Sequence, residues 1–396
     1  MARKSEFYKG KRKKKSYAFI PFVIILAVVT LVMVSFYGMQ KYAVVTKEGV
    51  SVELPGLENG ASGSSGHSDE RKNFSHVEAE LVFDQADYSD VEATVTENPE
   101  PVRAIFVSPE NLNVDKLQEY ESRLKAGNAL VIEMKPRTGE LLFTSSSDAA
   151  AAYGMSVAPE RAIEIKQYVD KLKEQDIYLV AQISCLIDST FASRSNSVAL
   201  KTGYGANYMD ENGVWLDPYN MDVRNYVVQM CRELYAMGFD EVVLADVMHP
   251  VIERDEDEEK KPADPNIPVI PDFAYSREMS TPPGPVNAIC GFAMYVADQL
   301  QDRPGPLSIY TNTPPSLVKA DKDNGQDATL FMKIFDRVYY PTDKAAYTYN
   351  VKDIAPSVLV GTVENRFVPV VINYLPNDYE EVSWVLIDKE IKKDKD

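Results

Sequence analysis

The sequence predicts an α/β fold, a (β/α)8 TIM-like barrel preceded by one N-terminal transmembrane helix. Two observations carry the barrel. Short apolar, β-branched runs alternate with helical periodicity from about residue 102, and about eight such runs fall between there and residue 396. A third carries the helix: residues 17–37 are almost wholly apolar and hold no charged side chain.

The segments follow in order. Residues 1–16 are a basic tail, with Arg3, Lys4, Lys9, Lys11, Arg12, Lys13, Lys14 and Lys15 against the single acid Glu6. The run 17–37 is long enough to cross a hydrocarbon core of roughly 30 Å at about 1.5 Å per residue. Tyr17 and Phe19 stand at one end of it, Phe36 and Tyr37 at the other. The basic flank precedes the span, so the N-terminus is expected in the cytoplasm and the main domain outside the cell membrane, anchored by a single pass. A cleaved signal peptide is the alternative. The run exceeds the usual h-region of roughly 7–15 residues, and no A-x-A-like site follows it. Residues 38–100 read as a flexible stalk, with Gly60-Ala-Ser-Gly-Ser-Ser-Gly66 and many acids from Glu78 onward. Residues 101–396 are the barrel domain.

Strand-like runs fall at 104–107, 129–134, 178–185, 241–247, 307–310, 337–340, 358–363 and 368–373. Helical periodicity falls at 114–126, 158–175, 222–237, 287–301 and 327–335. Near-continuous apolar strands alternating with helices imply a parallel sheet covered on its outer face. Residues 251–285, acidic and proline-rich, interrupt the pattern after the fourth strand as a surface loop or a rim of the catalytic face.

Charge narrows the function classes. The tail contributes +7 to a total of −18, which leaves −25 for the rest. That balance argues against nucleic acid and against adhesion to anionic lipid. Cys185, Cys231 and Cys290 are odd in number and sit in apolar stretches, so buried thiols are expected rather than disulfides or zinc ligands. No G-x-G-x-x-G follows a strand, and no cofactor or metal is expected.

Four blocks resemble one family. They are Asn128-Ala-Leu-Val-Ile-Glu-Met-Lys-Pro-Arg-Thr-Gly139, Tyr178-Leu-Val-Ala-Gln-Ile-Ser-Cys-Leu-Ile-Asp188, Trp215-Leu-Asp-Pro218 followed by Gly238-Phe-Asp-Glu-Val-Val-Leu-Ala-Asp-Val-Met-His-Pro250, and Gly325-Gln-Asp327 with Asp336 and Tyr340-Pro-Thr342. In order and spacing they are similar to the glycoside-hydrolase-like domain of bacterial envelope proteins, a TIM barrel related to the α-amylase-like glycosidases. The resemblance implies carbohydrate, as envelope or extracellular polysaccharide, as the partner. It also exposes departures. Ala245 stands where the family has the fourth-strand Asp, Gln182 and Met248 where it has Arg, Ile187 where it has Lys, and Pro136 where it has Asp.

Glycoside hydrolysis uses two carboxylates, and in a barrel these come from strand C-terminal ends. Asp246 is the candidate nucleophile or base, with Glu133 or Glu364 as the acid. Regular alternation would point Asp246 away from the family position unless a bulge re-aims it. Asp188, Asp217 and Asp343 are candidate sugar-binding acids, and Lys135 is a binding residue or the partner of Glu133 or another acid. Tyr204, Tyr208, Trp215 and Tyr219 cluster in the third βα loop as a stacking platform for sugar rings, or as a loop packed on its own aromatics. His249 titrates near neutrality if exposed and is structural if buried. Two readings result: a barrel with impaired catalysis that binds carbohydrate, and an active glycosidase using Asp246 with a second strand-end carboxylate.

Overall fold

The computed structural model describes residues 43–46, 49–52, 88–113 apart from 89 and 96–98, single positions between 114 and 127, 128–252, 272–276, 284–313, 320–342, 366–373 and 382–387. The proposed span at 17–37 lies outside them, as do Asp343, Glu364 and most of the 251–285 loop. No helix among the described residues is long and apolar enough to cross a membrane.

The chain divides into two compact units, Met1–Lys72 and Asn73–Asp396. In the first, Ala43–Thr46 pairs antiparallel with Gly49–Val52, inside the segment that composition assigns to the stalk. The second is the barrel. Its strands are β1 (Arg103–Val107), β2 (Ala129–Lys135), β3 (Tyr178–Ser184), β4 (Glu241–Ala245), β5 (Leu307–Tyr310), β6 (Val338–Pro341), β7 (Phe367–Ile372) and β8 (Trp384–Ile387). All neighbours pair parallel, and β8 closes onto β1. This is the eight-stranded closed parallel barrel expected of a (β/α)8 fold.

Its last strands differ from the sequence expectation. Phe367–Ile372 is the seventh strand and not the eighth, and Trp384–Ile387, assigned to no element above, supplies the eighth. The run 358–363 lies outside the described residues, and the ring closes without it. β5 and β6 are as short, but each follows a run of helical period; the stretch between Asn373 and Ser383 carries none, so the strand–helix alternation gives Trp384–Ile387 no place.

The helices are α1 (Asp148–Tyr153), α2 (Pro159–Glu174), α3 (Ser189–Arg194), α4 (Met221–Met237), α5 (Pro285–Gln299) and α6 (Ala328–Ile334). Helix α4 shows why the local sequence folds as it does. Asn220 caps it by accepting from Asp222 and Val223 N–H, and Gly238 ends it in the left-handed region at φ 111°. Val223, Val227, Met230, Cys231 and Leu234 recur at helical spacing and are buried against the strands. The packed region starts before residue 101: Tyr88 is buried in the core, and Thr94 and Val95 N–H donate to Lys333 O. All three cysteines are buried and unbridged.

The main core lies between the outer strand faces and the helices. The barrel interior is filled by residues such as Ala104, Ala129, Val131, Val180, Val243 and Val385. At its N-terminal end this interior turns polar. Glu241, fully buried, accepts from Ser308 Oγ at 2.7 Å, Tyr339 Oη at 2.8 Å, Tyr178 Oη at 3.0 Å and Arg337 Nη1 at 2.5 Å.

Candidate functional site

Strand β4 decides the geometry of the mouth. Ala245 keeps the inward parity of Val243 and faces the mouth, so the inward place at the strand end holds no carboxylate. Asp246 then leaves the strand with φ 55°, a left-handed conformation uncommon for a residue with a side chain. The turn brings the Asp246 carboxylate to the mouth as well. The expectation from simple alternation is therefore reversed by one backbone dihedral.

A cavity of about 400 Å³ opens at the strand C-terminal ends, lined by Glu133, Arg137, Gln182, Asp246, Tyr310 and Asn312. Arg137 grips Asp246: Nη2 donates to Oδ1 at 2.7 Å, and Nε donates to both oxygens at 3.1 and 3.2 Å. Ser184 Oγ donates to Oδ2 at 2.7 Å, and Arg137 Nη1 donates to Asn212 Oδ1 at 2.6 Å. The Asp246 hydrogen bond raises the Arg137 pKa; burial opposes this, and the charges of Asp246, Glu133 and Asp210 add to it. The guanidinium is thus permanently charged and lies within electrostatic reach of both mouth acids. The sequence reading missed Arg137. The criterion applied to acids, a charged residue just past a strand end, also singles it out.

The mouth is braced by Gln326, of the Gly-Gln-Asp block. Its Nε2 donates to Val247 O at 3.0 Å, and its Oε1 accepts from Asn312 N at 2.9 Å and from Thr311 Oγ and Thr313 N at 3.1 Å. One buried amide thereby ties the end of β4 to the end of β5. Gly325 beside it has φ 78°, and a Cβ there would fall 2.3 Å from Pro285 O.

The other candidates divide. Glu133 lines the mouth. Lys135 and Asp188 do not: they form a fully buried ion pair at 3.0 Å, so the partner of Lys135 is Asp188 and not Glu133. Asp188 Oδ1 also caps α3 through Phe191 N–H at 2.7 Å. The register shift in β2 between Glu133 and Lys135 separates the two side chains.

The aromatic cluster is a packed loop. Trp215 is buried with Ile187, Leu200 and Phe273, and Tyr208 meets Phe273 edge-on at 5.0 Å. Tyr219 meets Tyr275 edge-on at 5.1 Å, and Tyr204 alone stands out, 84% exposed. Asp217 is buried and holds two loops together, accepting from Tyr219 N and Ser276 N. Burial raises its pKa against these hydrogen bonds. His249 packs on Phe273, with Nε2 3.0 Å from Tyr275 Oη. Burial pushes its pKa down to about 4, so it is neutral at pH 7. The returning end of the long loop is therefore anchored beside the mouth.

Residues 104–362 match the family described as "Putative glycosyl hydrolase domain". The chain belongs to this family. Similar solved structures include the glycoside hydrolase domain of PgaB (BpsB) from Bordetella bronchiseptica, 12% identical over 72% of this chain and 93% of that one, TM-score 0.43. The α-galactosidase from Lactobacillus brevis is 12% identical over 75% of this chain and 38% of that one, TM-score 0.46. A hypothetical protein from Ruminiclostridium thermocellum is 20% identical over 52% and 96%, TM-score 0.40. No curated protein matches the chain.

Proposed function

We propose that the chain is a glycosidase-derived barrel, tethered by residues 17–37 to the outer face of the cell membrane, that binds envelope or extracellular carbohydrate with catalysis impaired. One observation carries the reading: the Asp246 carboxylate, the acid nearest the family's catalytic position, is engaged on both oxygens by Arg137 and Ser184. A nucleophile or base needs a free lone pair directed at the sugar. Ala245 supplies no second acid from β4, and the departures at Gln182, Ile187 and Met248 fit the same loss. What the mouth retains suits binding. Charged donors and acceptors, the amides of Gln182 and Asn312, and Tyr310 line a cavity of about 400 Å³, within the usual range for ligand pockets.

The test uses the full chain in a detergent without a sugar headgroup. Calorimetric titration with a panel of envelope glycans should give binding that Asp246→Ala and Arg137→Ala weaken, with no sugar released. Absence of binding overturns the reading. Sugar release that disappears in Asp246→Asn selects the second reading, an active hydrolase, which the shared cavity of Glu133 and Asp246 favours.

A further inference from the structure

The mouth has two unlike sides. The ends of β2 to β5, and the residues just past them, supply its polar groups Glu133, Arg137, Gln182, Asp246 and Asn312. The ends of β7, β8 and β1 line the same cavity with Val370, Val385, Ile387 and Phe106. Of these, Ile387 and Phe106 are partly exposed.

Ile372 extends the apolar side. It follows the lining residue Val370 on the same parity of β7 and is the register partner of Ile387 on β8, as Val370 is of Val385. It is 41% exposed. The parallel pairing of β8 with β1 brings Ile387 level with Phe106. One isolated isoleucine on a surface is ordinary. Here two isoleucines and a phenylalanine from three adjacent strands make one edge, and polar groups stand across the opening from it. A ligand that matches such an opening carries hydrogen-bonding groups on one side and an apolar group on the other.

The side chains narrow the apolar group. A pyranose presents hydroxyls at its edge and C–H groups on flat faces, and a flat ring such as Phe106 suits those faces. Isoleucine tips are branched and do not stack. They make close contact with a small apolar group such as a methyl. An acidic substituent is disfavoured, because two carboxylates line the cavity against one guanidinium. We propose that the β7–β8–β1 side is a subsite for an uncharged acyl substituent, so that the mouth selects acylated sugars, N-acetylated ones among them, over plain hexoses. This rests on the carbohydrate reading above and adds the substituent that is recognised.

The test titrates the full chain, in phosphatidylcholine nanodiscs so that no detergent tail competes for the apolar side. The probes are β-1,4-linked tetramers of N-acetylglucosamine and of glucose, which differ only in the group at carbon 2. Burial of one methyl corresponds to about fourfold in affinity, so the acetylated tetramer should bind tighter by about that factor. Ile372→Thr keeps the β-branch and should reduce the preference, and Ile372→Thr with Ile387→Thr should abolish it. The glucose tetramer should keep its affinity in both variants. Asp246→Ala should weaken both tetramers and leave their ratio unchanged. Ile372→Thr alters an exposed side chain and should keep the wild-type melting temperature, so it decides alone if the double variant is unstable. Equal affinities, tighter binding of glucose, or a preference that Ile372→Thr leaves intact (the mark of recognition through the amide) overturns the acyl subsite and spares the carbohydrate reading. Binding of neither tetramer overturns the subsite; it spares that reading if another envelope glycan binds and overturns both if none does.

Discussion

Glu241 at the start of β4 and Asp246 just past its end each pair with an arginine, at opposite ends of the same barrel. Glu241 and Arg337 are 0% and 3% exposed and are surrounded by Tyr178, Ser308 and Tyr339. Asp246 and Arg137 are 9% and 44% exposed and border a cavity. The buried pair has no route to a ligand and serves to close the barrel floor. The open pair can exchange partners with a solute, because the Arg137 side chain is exposed to solvent. The same two residue types therefore act as structure at one end and as a candidate site at the other, according to what packs around them.

The largest expected effect breaks the floor. Glu241→Ala leaves the Arg337 charge buried and should lower the unfolding free energy by about 3–5 kcal/mol, read from denaturant unfolding of the full chain. A loss no larger than that of Asp246→Ala would erase the contrast between the two ends.

Acid should act next, at the rim. In the unfolded chain His249 takes up a proton near pH 6.5, but in the fold only near pH 4. Stability is therefore intact above about pH 6.5 and falls progressively toward pH 4, by about 3 kcal/mol from this group. Asp217 has the opposite sign: its raised pKa means the fold takes up a proton before the unfolded chain does, which offsets part of the loss at the acid end. Melting temperature against pH should flatten in His249→Phe and steepen in Asp217→Asn. A profile unchanged by His249→Phe would remove histidine from the rim's acid response.

Gly139 tests the buried rim pair. Its φ is 89°, and a Cβ would fall 1.8 Å from Asp188 Oδ1. Gly139→Ala should be destabilising by about 2–3 kcal/mol through backbone strain and displacement of Asp188 from Lys135. Retention of the wild-type melting temperature would show that this turn yields freely. The smallest stability effect belongs to the mouth. Asp246→Asn should change unfolding by less than about 1 kcal/mol, since the Arg137 side chain is 44% exposed and keeps its hydration when the charge of its partner is removed. A change comparable to Glu241→Ala would make the mouth pair structural too.

The barrel was legible because its signals are local. Runs such as Ala-Leu-Val-Ile at 129–132 and Val-Val-Leu-Ala at 242–245 read as buried parallel strands without any knowledge of their neighbours. The caps of α4 stand in sequence at Asn220 and Gly238. The eighth strand, Trp384–Ile387, was missed although it is no shorter than β5 and β6, because no run of helical period precedes it after β7. The site was legible only in part. Asp246 and Glu133 were found as acids near strand ends, and both line the mouth. Arg137 was passed over, and Trp215, Asp188 and Lys135 turn out to be packed away from the cavity.

The sequence by itself determined the fold class, the strand order up to β6, helices α2, α4, α5 and α6 and the acids Glu133 and Asp246 near strand ends, because hydrophobic period acts over a few residues; the six-residue helices α1 and α3 escaped it. Only the tertiary structure decided which charges meet. Arg137 reaches Asp246 across 109 positions and Arg337 reaches Glu241 across 96, and a single left-handed residue turns one carboxylate into the mouth. Pairing at that distance depends on barrel closure and backbone dihedrals, neither of which leaves a periodic trace in the chain.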